Sequence, residues 1–418
     1  MSLADDAKLL LIPTGYKASK VYSVFPTDGD GDFTYTRSGD ASRVNPGGLI
    51  ETVGTNIPRI DHFGGGCPTL LLEPQRTNLV LFSEQFSGSN WGSVNTTITA
   101  NQTIAPDAEL TGDKLQRTST SASYRAHNIS KSATATTYTT SVFIKKGSDN
   151  YFAMRAQGSY PSRADFRFRF DTEQIYSANA VSNFTILDYG VENYSNGWYR
   201  MHFTYTSDTH TNLSITFSPR ATDGNIDSSD TSSTAFAFVW GAQTEVGNYI
   251  SSYIKTTTGQ VTRQKDECYN GGDANLFDIT EGTFFVDANN FGTPLNAYSM
   301  ITLSDGTLTN YIRFLYESSR IRVTLVSNNS TSIDYFITGV NDNERNKTLI
   351  TFKENEFKIY HNGILKTTDT SGNVPINLDR FNFSMTNNFS RWFEGEIHDA
   401  RVYDRVLTQT EAETLTTL

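Results

Sequence analysis

The feature that most constrains this chain is a strict two-residue alternation of aromatic and charged side chains. In Phe166-Arg167-Phe168-Arg169-Phe170 every second residue is a phenylalanine, and Tyr199, Met201, Phe203 and Tyr205 alternate with Arg200, His202 and Thr204. A pleated strand sends successive side chains to opposite faces, so this pattern buries one face and wets the other, whereas a helix would smear it around its axis. The runs Tyr138 to Ile144, Leu213 to Phe217 and Thr234 to Trp240 share this style and are separated by loops of Ser, Thr, Asn, Asp and Gly. Many short antiparallel strands at such spacing predict a sandwich or jelly roll. Only 37% of residues are hydrophobic, yet 12% are aromatic, a balance that suits half-buried strands better than helical bundles.

The 418 residues exceed what one core usually serves, and the patterning divides them into three regions. Residues 1–84 alternate short apolar pieces with turn clusters such as Asp28-Gly29-Asp30-Gly31-Asp32 and Asn45-Pro46-Gly47-Gly48. They read as an irregular strand-and-loop region with little core of its own that packs on something else. Residues 85–265 form the first sandwich. Residues 266–418 repeat the style in Thr283 to Asp287, Tyr311 to Tyr316, Ile321 to Val326 and Leu349 to Phe352. In that last region Phe357 to His361 meets Asn362-Gly363 before Ile364, and an Asn-Gly pair between alternating runs predicts a hairpin because both residues tolerate positive φ. Thr408-Gln409-Thr410-Glu411 is a capping-box pattern, which predicts a short helix at the end. The fold class expected is all-β, with two antiparallel β-sandwich or jelly-roll domains in tandem behind the N-terminal region.

Charge and cysteines exclude several function classes. Thirty-four Lys and Arg against 45 Asp and Glu leave a formal charge of −11, the wrong sign for a nucleic-acid or anionic-lipid partner. The apolar run in MSLADDAKLLLIPTGYK is too short for a signal-peptide core, and no segment approaches the roughly 20 apolar residues of a membrane span. Cys67 and Cys268 lie far apart without metal-ligand spacing, which speaks against a disulfide framework or a zinc site. No cofactor and no metal is expected.

Three strings carry a resemblance. LIPTGYKASKVYSVFPTDGDGDFTYTRSGDASRVNPGGLIETVGTNIPRIDH, then CPTLLLEPQRTNL and FSEQFSGSNW, resemble the opening region of a family of tailed-phage structural and fibre proteins. In that family the segment precedes a carbohydrate-binding-type jelly roll. Asn196 to Thr206 and Phe238 to Arg263 are similar to its later landmarks, so the likeness spans most of residues 11 to 265. At the other end EGTFFVD, FKIYHNGIL and FEGEIHDARVYDRVLTQTEAETL resemble a laminin-G or concanavalin-A-like module. Together these imply a virion protein with an assembly-facing N-terminus and carbohydrate-directed outer domains, although such sandwiches host many functions.

Candidate site residues follow from chemistry. Tryptophan faces stack on sugar rings. Trp198 and Trp240 sit in strongly alternating strands and Trp91 in the domain-entry motif, where large aromatics belong to the core. Trp392, after Asn388-Phe389-Ser390-Arg391 in a loop, and Tyr160, in Gly158-Ser159-Tyr160-Pro161, are the glycan candidates. Glu394, Glu396 and His398 share one face of a strand, and carboxyls about 5 to 5.5 Å apart can act as nucleophile and acid. Asp399 points the opposite way, and alternating charged and apolar residues are what a solvated outer face requires. Asp28, Asp30 and Asp32 have the spacing of EF-hand ligands, but Phe33 and Gly39 stand where Gly and Glu are needed, and Asp223, Asn225 and Asp227 fail in the same way. Glu73 and Arg76 are placed to pair across the turn begun by Pro74.

The expectation is therefore a non-enzymatic virion structural protein, a tail fibre, head fibre or similar appendage. It attaches by its N-terminus to other virion proteins and presents lectin-like domains to host surface glycans, as a homo-oligomer taken to be a trimer and without membrane insertion. A purely structural decoration or bracing protein, and a polysaccharide depolymerase using Glu394 and Glu396, are the alternatives.

Overall fold

A computed structural model of the chain describes residues 2–277, 279–292, 299–385 and 391–418. Their regular secondary structure is almost all strand, as the alternation requires, and they form two compact units. One comprises Met1–Asp40, Val53–Gln75 and Gln264–Leu418, and the other Ala41–Thr52 and Arg76–Arg263.

The unit holding the C-terminus is a sandwich. Its larger sheet runs in the order Ile364–Asp369, Glu356–His361, Arg345–Lys353, Glu281–Asn290, Gly395–Tyr403, Thr69–Leu72 and Ile60–Asp61. The smaller runs Ser330–Thr338, Arg320–Ser327, Tyr311–Glu317, Ser299–Ser304 and Arg380–Asn382. Between them Phe284 stacks on Phe314 with ring centroids 4.9 Å apart, amid Val286, Ile301, Ile312, Val323, Ile397 and Val402. Asn362 and Gly363 take φ of 47° and 78°, and His361 pairs with Ile364 across the expected hairpin. At the end, the Thr408 hydroxyl accepts from Glu411 N at 3.4 Å and the Glu411 carboxylate accepts from Thr408 N at 2.8 Å, so the capping box starts the helix Gln409–Thr416.

The N-terminal strands differ from the region set apart in the sequence. Leu9–Leu11 and Thr69–Leu72 both pair with Gly395–Tyr403, in the registers Leu9 to Val402 and Leu72 to Gly395. Leu9, Leu11, Leu70 and Leu72 are buried in the same core as Phe284. An unpaired strand edge and its exposed apolar face are costly, and these two short apolar runs cover both. A further small sheet, Tyr16–Lys17, Lys20–Val21, Phe33–Thr36 and Glu267–Tyr269, adds Val21, Phe33, Tyr35 and Cys268 to that core.

The other unit has two six-stranded sheets. One is ordered Trp91–Val94, Tyr124–Ser130, Asn212–Arg220, Tyr151–Gln157, Arg163–Arg169 and Gln174–Val181. The second is ordered Thr96–Thr103, Gly112–Arg117, Phe236–Val246, Thr137–Lys146, Trp198–Thr206 and Thr185–Tyr194. The alternating phenylalanines face inward, and Phe166 stacks on Phe203 with centroids 3.9 Å apart. The second sheet is covered on its outer face as well, because Ile50, Phe143, Trp198, Trp240 and Tyr253 form their own cluster there. Arg200 and Thr204, read as a wetted row, are accordingly buried.

Candidate functional site

Trp392 lies just before the strand Gly395–Tyr403, with Phe393 beside it anchored in the core. Its indole is half-buried and faces Lys265, just before the strand Glu267–Tyr269, and Tyr269 at the strand's end. The Lys265 ammonium sits 5.1 Å from the ring centroid, and the Tyr269 ring meets it edge-on at 5.9 Å. The local sequence explains this: Asp266 and Cys268 are buried, so alternation turns Lys265, Glu267 and Tyr269 the other way. An ammonium over an indole at a partly exposed site contributes about 0.5–1 kcal/mol, enough to hold the ring's orientation.

The same strand walls a cavity of about 410 Å³, completed by Gln264, the Thr36-Arg37-Ser38 segment and the Thr55-Asn56 turn. Glu267 on this wall is bound by the Lys265 side chain and by the Thr36 hydroxyl at 2.9 Å. The Asn56 side chain accepts from Arg37 N at 2.9 Å and Asn56 N donates to Arg37 O at 3.0 Å, locking the rim. Trp392 does not line this cavity itself; Lys265, which does, sits over the indole and joins the two into the Trp392 groove, where hydroxyls, amides and an aromatic ring can hydrogen-bond and stack on a polyhydroxylated ring.

A buried charge network backs this wall. Asp266 accepts from the Tyr35 hydroxyl, from Arg59, from Arg37 at 3.3 Å and from Glu73 N at 2.9 Å, while Arg59 also pairs with Glu73. Burial first, and then Asp266, pushes the Tyr35 phenol well up, so it stays a donor. Arg76 lies 4.0 Å from Glu245 and over the Tyr249 ring. The network was not legible in sequence because Asp266 stands more than 190 residues from Arg59 and Glu73.

Tyr160 is 71% exposed at the tip of the hairpin joining Tyr151–Gln157 to Arg163–Arg169, with the Arg163 guanidinium 5.5 Å from its ring centroid. Trp91, Trp198 and Trp240 are buried, and their indole nitrogens donate to Phe82 O, Ile104 O and the Thr111 hydroxyl. Asn388, Phe389 and Ser390, in the loop assigned to Trp392, lie outside the described residues.

The acidic strand departs from expectation. A bulge at His398 sets Asp399 opposite Asp287 and Glu396 opposite Asn289, so Asp399 comes to the face of Glu396 rather than away from it. Ile397 packs inward, Glu396 accepts from the Asn289 amide at 3.3 Å, and Glu394 precedes the strand. Asp287 is clamped by Arg345 at 2.7 and 2.5 Å, and Asp399 by Arg401 through contacts from 2.5 to 3.0 Å. Burial pushes the Asp399 carboxyl up, and Arg401 holds it part-way back.

The aspartate loops are likewise engaged. Asp32 accepts from Ser23 N at 3.0 Å and pairs with Lys20 at 3.3 Å, and Asp28 accepts from Asp30 N at 3.1 Å. Asp223 binds Arg167 and the Tyr176 hydroxyl, and Asp227 pairs with Arg155 at 2.8 Å. Among the described residues no group of three or more His, Cys, Asp or Glu is placed to hold a metal ion. Cys67 is exposed and Cys268 buried, both as free thiols.

With Trp392 and the strand Gly395–Tyr403 in place, the C-terminal sandwich can be compared with known proteins. Residues 280–413 match the concanavalin A-like lectin/glucanases superfamily. Trp392 falls inside the matched segment, whereas Lys265, Glu267 and Tyr269 precede it. Among solved structures, the Ruminococcus gnavus IT-sialidase CBM40 bound to alpha2,3 sialyllactose is 18% identical, covering 36% of this chain and 91% of that one at a TM-score of 0.31. Domain 4 of the Geobacillus stearothermophilus arabinanase AbnA in complex with arabinotriose is 14% identical, covering 40% and 81% at 0.30. The heptameric SAP-like pentraxin of Limulus polyphemus is 13% identical, covering 33% and 70% at 0.28. No curated protein matches the chain.

Proposed function

We propose that this protein is a non-enzymatic glycan-contacting component of a tailed-phage virion, and that the Trp392 groove is where the sugar is met. The observation that carries the binding half is the pairing of the Trp392 ring, held by Lys265 and Tyr269, with the polar cavity that Glu267 walls. The match of residues 280–413 to a superfamily of lectins and glucanases supports it.

The appendage half is supported by the likeness of residues 11 to 265 to phage structural proteins. Docking to other virion proteins is then a task for the folded units, because Leu9–Leu11 and Thr69–Leu72 are committed to the sandwich. In this reading the chain is a homo-oligomer, taken as a trimer, and several weak sugar sites on one particle act together through high effective concentration.

The test is an array of bacterial surface polysaccharides probed with the full chain and with Trp392→Ala. Retention of some glycans by the parent chain, lost in the variant at unchanged thermal unfolding, is the expected result. Reducing ends released from a retained glycan would establish the depolymerase instead, and retention of nothing would leave the bracing role.

A further inference from the structure

The outer face of the Tyr151–Gln157 and Arg163–Arg169 hairpin carries a buried guanidinium, that of Arg155, whose hydrogen-bonding capacity is only partly used. Arg155 and Thr216 are partners across adjacent strands and are only 3% and 5% exposed. The Arg155 Nε donates to Asp165 at 2.5 Å, and Nη1 pairs with Asp227 at 2.8 Å. The Arg155 Nη2 and the Thr216 Oγ1, however, are buried without a hydrogen-bond partner among the described residues. A buried donor left without a partner is costly, more so when charged, so two such atoms on neighbouring strands mark a place for an additional group.

The Asp227 side chain is 56% exposed, whereas the loop carrying it is fixed separately, by Arg220 donating to the carbonyls of Thr222, Asn225, Ser228 and Ser229. Asp227 can therefore swing out without unfolding its loop. A guanidinium presents a planar fork to a carboxylate, and Asp227 takes only Nη1 of it. Asp165 also binds the Arg163 Nε at 2.9 Å, and Arg163 lies over the exposed Tyr160 ring, so one polar strip leads from Arg155 to an aromatic face.

We infer that this strip binds a carboxylate-bearing sugar. The sugar carboxylate replaces Asp227 on Arg155 Nη1, reaches Nη2, and accepts from the Thr216 hydroxyl, while the ring extends towards Tyr160. This site uses none of the residues of the Trp392 groove and stands or falls without it.

The experiment is calorimetric titration of the full chain with N-acetylneuraminic acid and with galacturonic acid, each beside its methyl ester. Both acids are expected to bind at least ten-fold more tightly than their esters. Thr216→Val should weaken the acids at least three-fold, and Asp227→Asn, which removes the competing carboxylate, should tighten them at least three-fold. Neither Thr216 nor Asp227 lines the cavity walled by Glu267, so these two shifts separate this site from the groove. Equal affinity of acids and esters, weaker or unchanged binding in Asp227→Asn, or no heat with either acid at millimolar concentration would each overturn the inference.

Discussion

Arg59 and Asp266, 207 residues apart in the chain, meet as a fully buried ion pair behind the wall of the Trp392 groove. Arg37 and Glu73 complete the charge balance, with two guanidiniums facing two carboxylates. Burying four charges is costly, and the arrangement is tolerable only because each has partners of opposite sign in hydrogen-bond geometry. Its consequence is a rigid strand at Glu267–Tyr269, and rigidity in a binding wall reduces the ordering lost when a ligand is bound.

Removing Asp266 should expose that cost. Asp266→Ala leaves Arg37 and Arg59 buried with one carboxylate between them, and breaking such a pair costs about 3–5 kcal/mol. Denaturant unfolding of the full chain should register a loss of that order in the unit containing the C-terminus. A loss below about 1 kcal/mol would mean that the network contributes little to the fold.

His127 provides a pH dependence in the other unit. It is 2% exposed, its Nε2 accepts from Leu81 N at 3.1 Å, and burial lowers its pKa to about 4. A histidine with a depressed folded pKa binds more protons when unfolded. Its contribution is therefore whole above about 6.5 and is lost as pH falls towards about 4, at up to about 1.4 kcal/mol per pH unit. The variant His127→Gln should unfold with a shallower pH slope between 6.5 and 4.5 than the parent, by nearly one proton. Equal slopes would show that the imidazole is solvated.

Thr408 caps the terminal helix through the reciprocal bonds with Glu411, and the helix packs Ala412 into a cluster with Tyr360, Leu349 and Leu407. Thr408→Ala should destabilise the unit by about 1 kcal/mol. Thermal unfolding that is unchanged by this substitution would place the helix outside the cooperative unit.

Local chemistry made much of this fold legible. Phe166, Phe168 and Phe170 announce a strand, Asn362-Gly363 a hairpin and Thr408 to Glu411 a helix start because each rests on neighbours within a few residues. The place of Leu9–Leu11 was hidden because its partner Val402 stands nearly four hundred positions later. The face of Asp399 was misread because one extra residue at His398 shifts the phase of a two-residue repeat, and nothing in the sequence marks the bulge. Trp392 could be picked out as a loop aromatic, but Lys265 and Tyr269, which orient it, come from a strand more than a hundred residues upstream.

The central claim, that the Trp392 groove meets a sugar, is tested most directly by titrating the parent chain, Trp392→Ala and Glu267→Gln with one oligosaccharide retained on the array. Loss of a stacked aromatic face should weaken binding by about ten-fold or more, and the change at Glu267 should weaken it by a smaller factor, with both variants folded. Unchanged affinity in both variants would contradict the account.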